Sequence, residues 1–197
     1  MIETESGILI PSDYHIYVKP TEREISQRKL EGYKKLAEIR QWGLKYPTRF
    51  LSEFVGVDLL DSQEYTFMMS WTRPYVLWLE SRSAGKTTKL ALYAMLRGLL
   101  HNNYRIYSGT ADQSQETFRK IEDIAMKNIE SMTGLTDVFK NEVEISQANS
   151  SGFIHNPMGF TYRLYNGSFV KTLNSNINAK RGKRCEAVYF DEGGWLL

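Results

Sequence analysis

The chain has 197 residues, of which 42% are hydrophobic and 24% charged, and its formal net charge is +2. These values describe a globular domain with material for a core and exclude wholesale disorder, while the near-neutral balance means that any nucleic-acid contact has to rest on a local patch. The lone cysteine, Cys185, excludes an internal disulfide. No apolar run approaches the roughly 20 residues that span a bilayer, and the acidic start Met1-Ile2-Glu3-Thr4-Glu5 has no signal-peptide stretch. The expectation is a soluble, intracellular protein.

Residues 1–20 read as an irregular arm containing Pro11 and Pro20, with a short strand at 15–18. Thr21, followed three positions on by Glu24, predicts a capped helix start. Ile25, Leu30, Tyr33, Leu36 and Ile39 carry that helix to about Trp42, and Gly43 is expected to end it. Short helices are expected at 47–55 and at 62–71, the second capped by Asp61 or Ser62. The apolar run Pro74-Tyr75-Val76-Leu77-Trp78-Leu79 predicts a strand buried on both faces. A loop at 80–85 and a strong helix from Lys86 to about His101 follow. Residues 105–108 predict a second strand, and Asp112 or Ser114 opens a helix with Phe118, Ile121, Ile124, Ala125 and Ile129 on one face. Alternation around Asn166-Gly167 predicts a hairpin of 161–165 with 168–172. Residues 187–190 are a further apolar strand, ending in Asp191-Glu192. Strands alternating with helices imply a three-layer α/β sheet.

Two motifs carry chemistry. Gly85-Lys86-Thr87 has the last three positions of the phosphate-binding pattern G-x-x-x-x-G-K-[ST], with Glu80 where the first glycine stands. A strand precedes it and a helix follows, which is what makes backbone N–H groups converge on phosphates. Lys86 then reaches the β and γ phosphates of ATP, the Thr87 hydroxyl holds Mg²⁺, and Arg82 is either a surface cation or a charge donor beside the γ phosphate. The second motif is the strand ending in Asp191-Glu192, where Asp191 binds the Mg²⁺ shell and Glu192 polarises the attacking water. The two motifs make one site only if their strands lie side by side.

Several segments resemble the large terminase subunit of tailed bacteriophages, the motor that packages DNA into procapsids. Ser81-Arg82-Ser83-Ala84-Gly85-Lys86-Thr87-Thr88 resembles that family's variant phosphate loop, S-R-x-x-G-K-[ST], which also lacks the first glycine. Leu60-Asp61-Ser62-Gln63 is similar to its adenine-recognition segment, with Gln63 lying 18 positions before Ser81. Residues 108–118, Leu164-Tyr165-Asn166-Gly167-Ser168, and Lys180-Arg181-Gly182-Lys183-Arg184 through Trp195 resemble its second strand and helix, its central hairpin, and the turn feeding its acidic strand. The resemblance covers roughly 60–197.

It implies an additional-strand (ASCE, RecA-like) P-loop NTPase fold, incomplete, with a small mainly helical lid or linker at 1–60 and the ATPase core at 61–197. It implies nucleotide binding by Gln63, Ser81, Arg82, Ser83, Ala84, Gly85, Lys86, Thr87 and Thr88, metal binding by Thr87 and Asp191, and catalysis by Glu192 with Arg82 acting in cis. Arg181 corresponds to an arginine offered in trans within a ring of subunits, or belongs to a basic loop touching DNA phosphates. Implied partners are ATP and Mg²⁺, double-stranded DNA, further copies in a homo-oligomeric ring, a portal protein and a small terminase subunit, all in the host cytoplasm, with no membrane.

The chain stops five residues after Glu192, before the family's coupling motif and nuclease. The expectation is a fragment or short product with an exposed apolar sheet edge, poor solubility and doubtful turnover. The alternatives are a helicase-like nucleic-acid motor and a nucleotide-binding domain without turnover. His15, His101 and His155 lack ligand spacing, Cys185 is expected in the core rather than as a nucleophile, and Asn149 through Gly152 is expected to be a mobile polar loop. The aromatics Trp71, Tyr75, Trp78, Tyr93, Tyr107 and Phe118 are expected to fill the core.

Overall fold

Most of the helical periodicity becomes helices packed on a mixed sheet in the computed structural model, which describes residues 2–3, 9–10, 27–81, 84–109, 111–126, 142–145, 149, 151–156, 159–173 and 184–190. The expected strand at 15–18, the helix cap at Thr21 and the helical position of Ile129 lie outside the described residues. Strands β1 (Ile2–Glu3) and β2 (Leu9–Ile10) pair antiparallel with each other.

Helix α1 (Gln27–Lys45) runs through Gly43 rather than ending there. The glycine serves packing instead: a Cβ at position 43 would stand 2.6 Å from the Phe50 ring. Helix α2 (Pro47–Phe50) opens on its proline and continues as a π-helical turn over Leu51–Val55. Gly56, at φ 74°, supplies the left-handed residue that stops it. Helix α3 (Asp61–Thr72) begins one position earlier than expected, capped at Leu60, whose N–H donates to Gln63 Oε1 at 3.2 Å.

Helix α4 (Lys86–Leu100) is the centre of the fold, with Ala91, Met95 and Leu96 fully buried. A buried helix end needs partners for its last carbonyls. Here Asn166 Nδ2 donates to Gly98 O at 2.8 Å and His101 O at 3.0 Å, Ser168 Oγ donates to His101 O at 2.8 Å, and Arg40 Nε donates to Leu100 O at 2.5 Å. The Asn-Gly turn therefore does two jobs, closing the expected hairpin and capping α4.

Strand β3 (Arg105–Gly109) is followed by α5 (Ala111–Met126), and strands β4 (Ile154–Asn156), β5 (Gly159–Arg163), β6 (Phe169–Thr172) and β7 (Ala187–Phe190) complete the sheet. Its order is β4-β5-β6-β3-β7, with β3 parallel to both β6 and β7 and the β4-β5-β6 run antiparallel. Helices α4 and α5 pack on each other and both rest on β3 and β6, so they share one face. On β7 Val188 and Phe190 remain open to solvent, so the expected third layer is not made over those residues.

The largest departure concerns 74–79. The run is not a strand and pairs with nothing among the described residues. Tyr75 is 93% exposed, Leu77 77% and Leu79 86%, against the expected burial. A strand exists only where a neighbour completes its ladder, and here the inward side chains Trp78 and Glu80 are taken by helices instead. The Asn149 turn is also knitted rather than loose: Asn149 Oδ1 accepts from Ser151 N at 3.2 Å, Ser151 Oγ at 2.9 Å and Gly152 N at 3.1 Å. No helix among the described residues is long and apolar enough to cross a membrane.

Phe118, 1% exposed, joins α5 to the sheet through ring contacts with Phe153 at 5.8 Å, Phe160 at 5.5 Å and Tyr162 at 5.8 Å. Truncating it to alanine is expected to cost roughly 3–5 kcal/mol, read from the urea midpoint at constant slope.

A second expectation concerns pH. Burial, with Arg97 and Arg40 nearby, pulls His101 from 6.5 down to about 4. A histidine lowered in this way contributes stability that is present above its unfolded value of 6.5 and lost as pH falls toward about 4. His101→Gln is expected to flatten the stability curve in that window, checked by denaturation at several pH values.

Candidate phosphate-binding loop

The loop meets α4 through Gly85, whose φ of 77° lies in the left-handed region that favours glycine. No side chain caps the helix start, so the first-turn N–H groups and the positive end of the helix dipole are directed at the loop. Ala84 N donates to Ser81 O at 3.4 Å. The Lys86 ammonium is folded into the loop, donating to Glu80 O at 3.1 Å and Ser81 O at 2.8 Å. Thr87 and Thr88 are half-buried in the first helical turn.

Gln63 lies against this turn. Its Nε2 donates to Ala84 O at 3.1 Å while its Oε1 caps α3. A cleft of about 240 Å³ opens beside it, lined among others by Val57, Leu59, Gln63, Gly85, Thr88 and Leu92. A larger groove of about 360 Å³, between Thr48, Arg49, Ser52, Asp58 and Glu64, touches none of the loop residues. The loop chemistry therefore belongs with the smaller cleft.

At its far end α4 meets the start of β3, where the His101 and Tyr104 rings lie 4.8 Å apart. Midway along, Tyr93 meets Tyr189 of β7 at 5.6 Å. The helix thus runs against the strand direction, and its N-terminus lies toward the carboxyl ends of β3 and β7, where open α/β sheets bind ligands. Gly109 and Phe190 are paired at that end. Asp191 follows Phe190 directly, but Asp191, Glu192, Arg181, Arg82 and Ser83 lie outside the described residues. The two motif-bearing segments are not paired as strands with each other: β7 pairs with β3, and 74–79 belongs to no sheet among the described residues.

No protein-family model and no curated protein matches this chain. The reading of the loop therefore rests on its own geometry.

One residue was missed entirely from the sequence. Lys89 of α4 is 1% exposed, ion-paired to Glu80, hydrogen-bonded to Thr66 Oγ1 at 2.7 Å and stacked over the Trp78 ring at 4.3 Å. The available signal was its place in the apolar stripe Lys89, Leu92, Leu96 at helical spacing, which puts its stem on the inner face.

The other singled-out groups stay apart from the loop. His155 pairs with Glu122 at 2.8 Å, and no cluster that could hold a metal through His, Cys, Asp or Glu occurs among the described residues. Cys185 is half-buried, and burial pushes its thiol up, away from a reactive thiolate.

Gly85→Ala tests the loop locally. The new Cβ would enforce strain at φ 77° and stand 3.2 Å from Gln63 Nε2. The expected outcome is a loss of about 1–2 kcal/mol in stability, measured by denaturation, with a shift in amide exchange at Lys86 and Thr87.

Proposed function

We propose that this chain is the nucleotide-binding part of an ATP-hydrolysing DNA-packaging motor of the large-terminase kind, and that 81–88 binds the phosphates of ATP. The observation that carries it is the helix start. Gly85 turns the chain left-handed into α4 and, as the N-cap, supplies no side-chain hydrogen bond, and Lys86 is the first helical residue, toward the carboxyl ends of parallel strands. An uncapped helix N-terminus with an adjacent lysine is suited to a polyphosphate.

In this reading Lys86 leaves the Glu80 and Ser81 carbonyls for the β and γ phosphate oxygens, and Arg82 adds charge beside them. Gln63, with the cleft next to it, meets the adenine. Mg²⁺ takes oxygen ligands. The Thr87 hydroxyl, in the first turn after the loop, and the Asp191 carboxylate, directly after β7, are oxygens of the right kind and would hold it, and the ion would supply charge neutralisation at the phosphates. Glu192 orients water for in-line attack and accepts its proton, and Arg181 serves a neighbouring copy or DNA phosphates. Double-stranded DNA, a homo-oligomeric ring, a portal protein, a small terminase subunit and the host cytoplasm belong to the same proposal.

A second reading, nucleotide binding without turnover, draws on the unpaired state of 74–79. The segment leading into the loop is not locked by strand pairing to the segment leading into Asp191. Steady-state phosphate release separates the two: turnover abolished by Glu192→Gln with binding kept supports the motor.

The phosphate-binding claim is tested by fluorescence titration with N-methylanthraniloyl-ATP and Mg²⁺. Lys86→Ala is expected to weaken binding by at least about tenfold, the loss of one charge-assisted hydrogen bond. Unchanged affinity would remove the loop from the site.

A further inference from the structure

Glu80 occupies the position at which the usual phosphate loop carries its first glycine. The structure gives that substitution a purpose. Two lysines one turn apart on α4 hold this single residue: Lys86 Nζ donates to its backbone carbonyl at 3.1 Å, and Lys89 is ion-paired to its carboxylate. Lys89 is held in turn by Thr66 Oγ1 of α3 at 2.7 Å and by the face of Trp78 at 4.3 Å. Trp78 is pinned through Nε1 to Ser70 Oγ of α3 at 2.6 Å. The other limb of the loop is tied to α3 as well, by Gln63 Nε2 on Ala84 O. The loop is therefore clamped at both limbs between two helices, although the segment before it has no strand ladder.

A buried ammonium cannot be stranded without a large desolvation penalty. Moving Glu80 away from α4 would leave Lys89, at 1% exposure, with only a hydroxyl and a ring. The charge thus resists any swing of the loop's first limb. A second consequence concerns Lys86. One of the two carbonyls that hold its ammonium belongs to Glu80, so the place from which Lys86 reaches a phosphate is set by the Glu80–Lys89 pair.

We propose that Glu80 and Lys89 are positioning residues for the phosphate loop, an ion-pair latch that takes over the bracing which strand pairing would otherwise supply. This rests on the reading of 81–88 as a phosphate-binding loop, and it assigns neither residue a contact with the nucleotide.

The experiment uses the full chain, N-methylanthraniloyl-ATP with Mg²⁺ as probe, and thermal denaturation in parallel. Glu80→Gln is expected to lower affinity about tenfold or more through misplacement of the Lys86 ammonium. It also buries an unpaired charge and lowers Tm. The decisive variant is Glu80→Gln/Lys89→Met, which removes both charges at similar volume. It is expected to recover Tm while affinity stays reduced, because no ion pair then anchors residue 80, and the backbone carbonyl that positions Lys86 is no longer fixed against α4. A double variant that recovers both Tm and affinity reduces the pair to a structural role and overturns the inference. Lys86→Ala separates the two levels of the argument. If the unaltered chain fails to bind the probe, or Lys86→Ala binds it equally well, the nucleotide reading falls and the latch with it. If Lys86→Ala loses binding and the double variant keeps it, the latch alone falls.

Discussion

A helix buried along most of its length must have both ends satisfied, and α4 obeys that constraint in opposite ways at its two ends. Its last carbonyls are taken up by Asn166, Ser168 and Arg40. Its first N–H groups face a loop with no side-chain cap. The protein closes one end with its own polar groups and opens the other on a glycine that has no side chain to cap it. The hairpin, the sheet and α1 are arranged around the closed end. The loop, the cleft and α3 are arranged around the open one.

The same asymmetry explains why the sheet alone does not define the site. Strands β6, β3 and β7 run parallel and set the direction in which α4 points. The segment that leads into the loop stands outside that sheet, and its bracing comes from side chains: Trp78 on Ser70, Glu80 on Lys89, and Gln63 on Ala84. Three helix-borne contacts stand in for a ladder of backbone hydrogen bonds. Each is a single residue, so the loop's geometry is exposed to point substitution in a way that a strand-borne loop is not.

Legibility in the sequence followed the range of the signal. Helix α4, strand β3 and the β5–β6 hairpin were readable because their cues are local: an apolar stripe, a short branched run, an Asn-Gly turn. The departures involve partners far along the chain. Gly43 looked like a helix stop, yet it makes room for the Phe50 ring. The run 74–79 has every local property of a strand, but a strand also needs a neighbour, and local composition says nothing about one. Lys89 went unread in the sequence because its partners Glu80, Thr66 and Trp78 converge on it only in the fold. Gln63, named through a family resemblance, does touch the loop. The acids at 191–192 and the arginines at 82 and 181 lie outside the described residues, so the sequence remains their only witness.

The outward-facing Tyr75, Leu77 and Leu79 have a consequence for handling the molecule. Backbone outside any strand ladder, with large apolar side chains projecting into solvent, is the kind of segment a protease takes as substrate. Chymotrypsin-like cleavage should fall between α3 and α4, at a bond flanked on both sides by helices buried in a common core. The two pieces would stay together through that core, and the nick would sever the chain just ahead of Glu80.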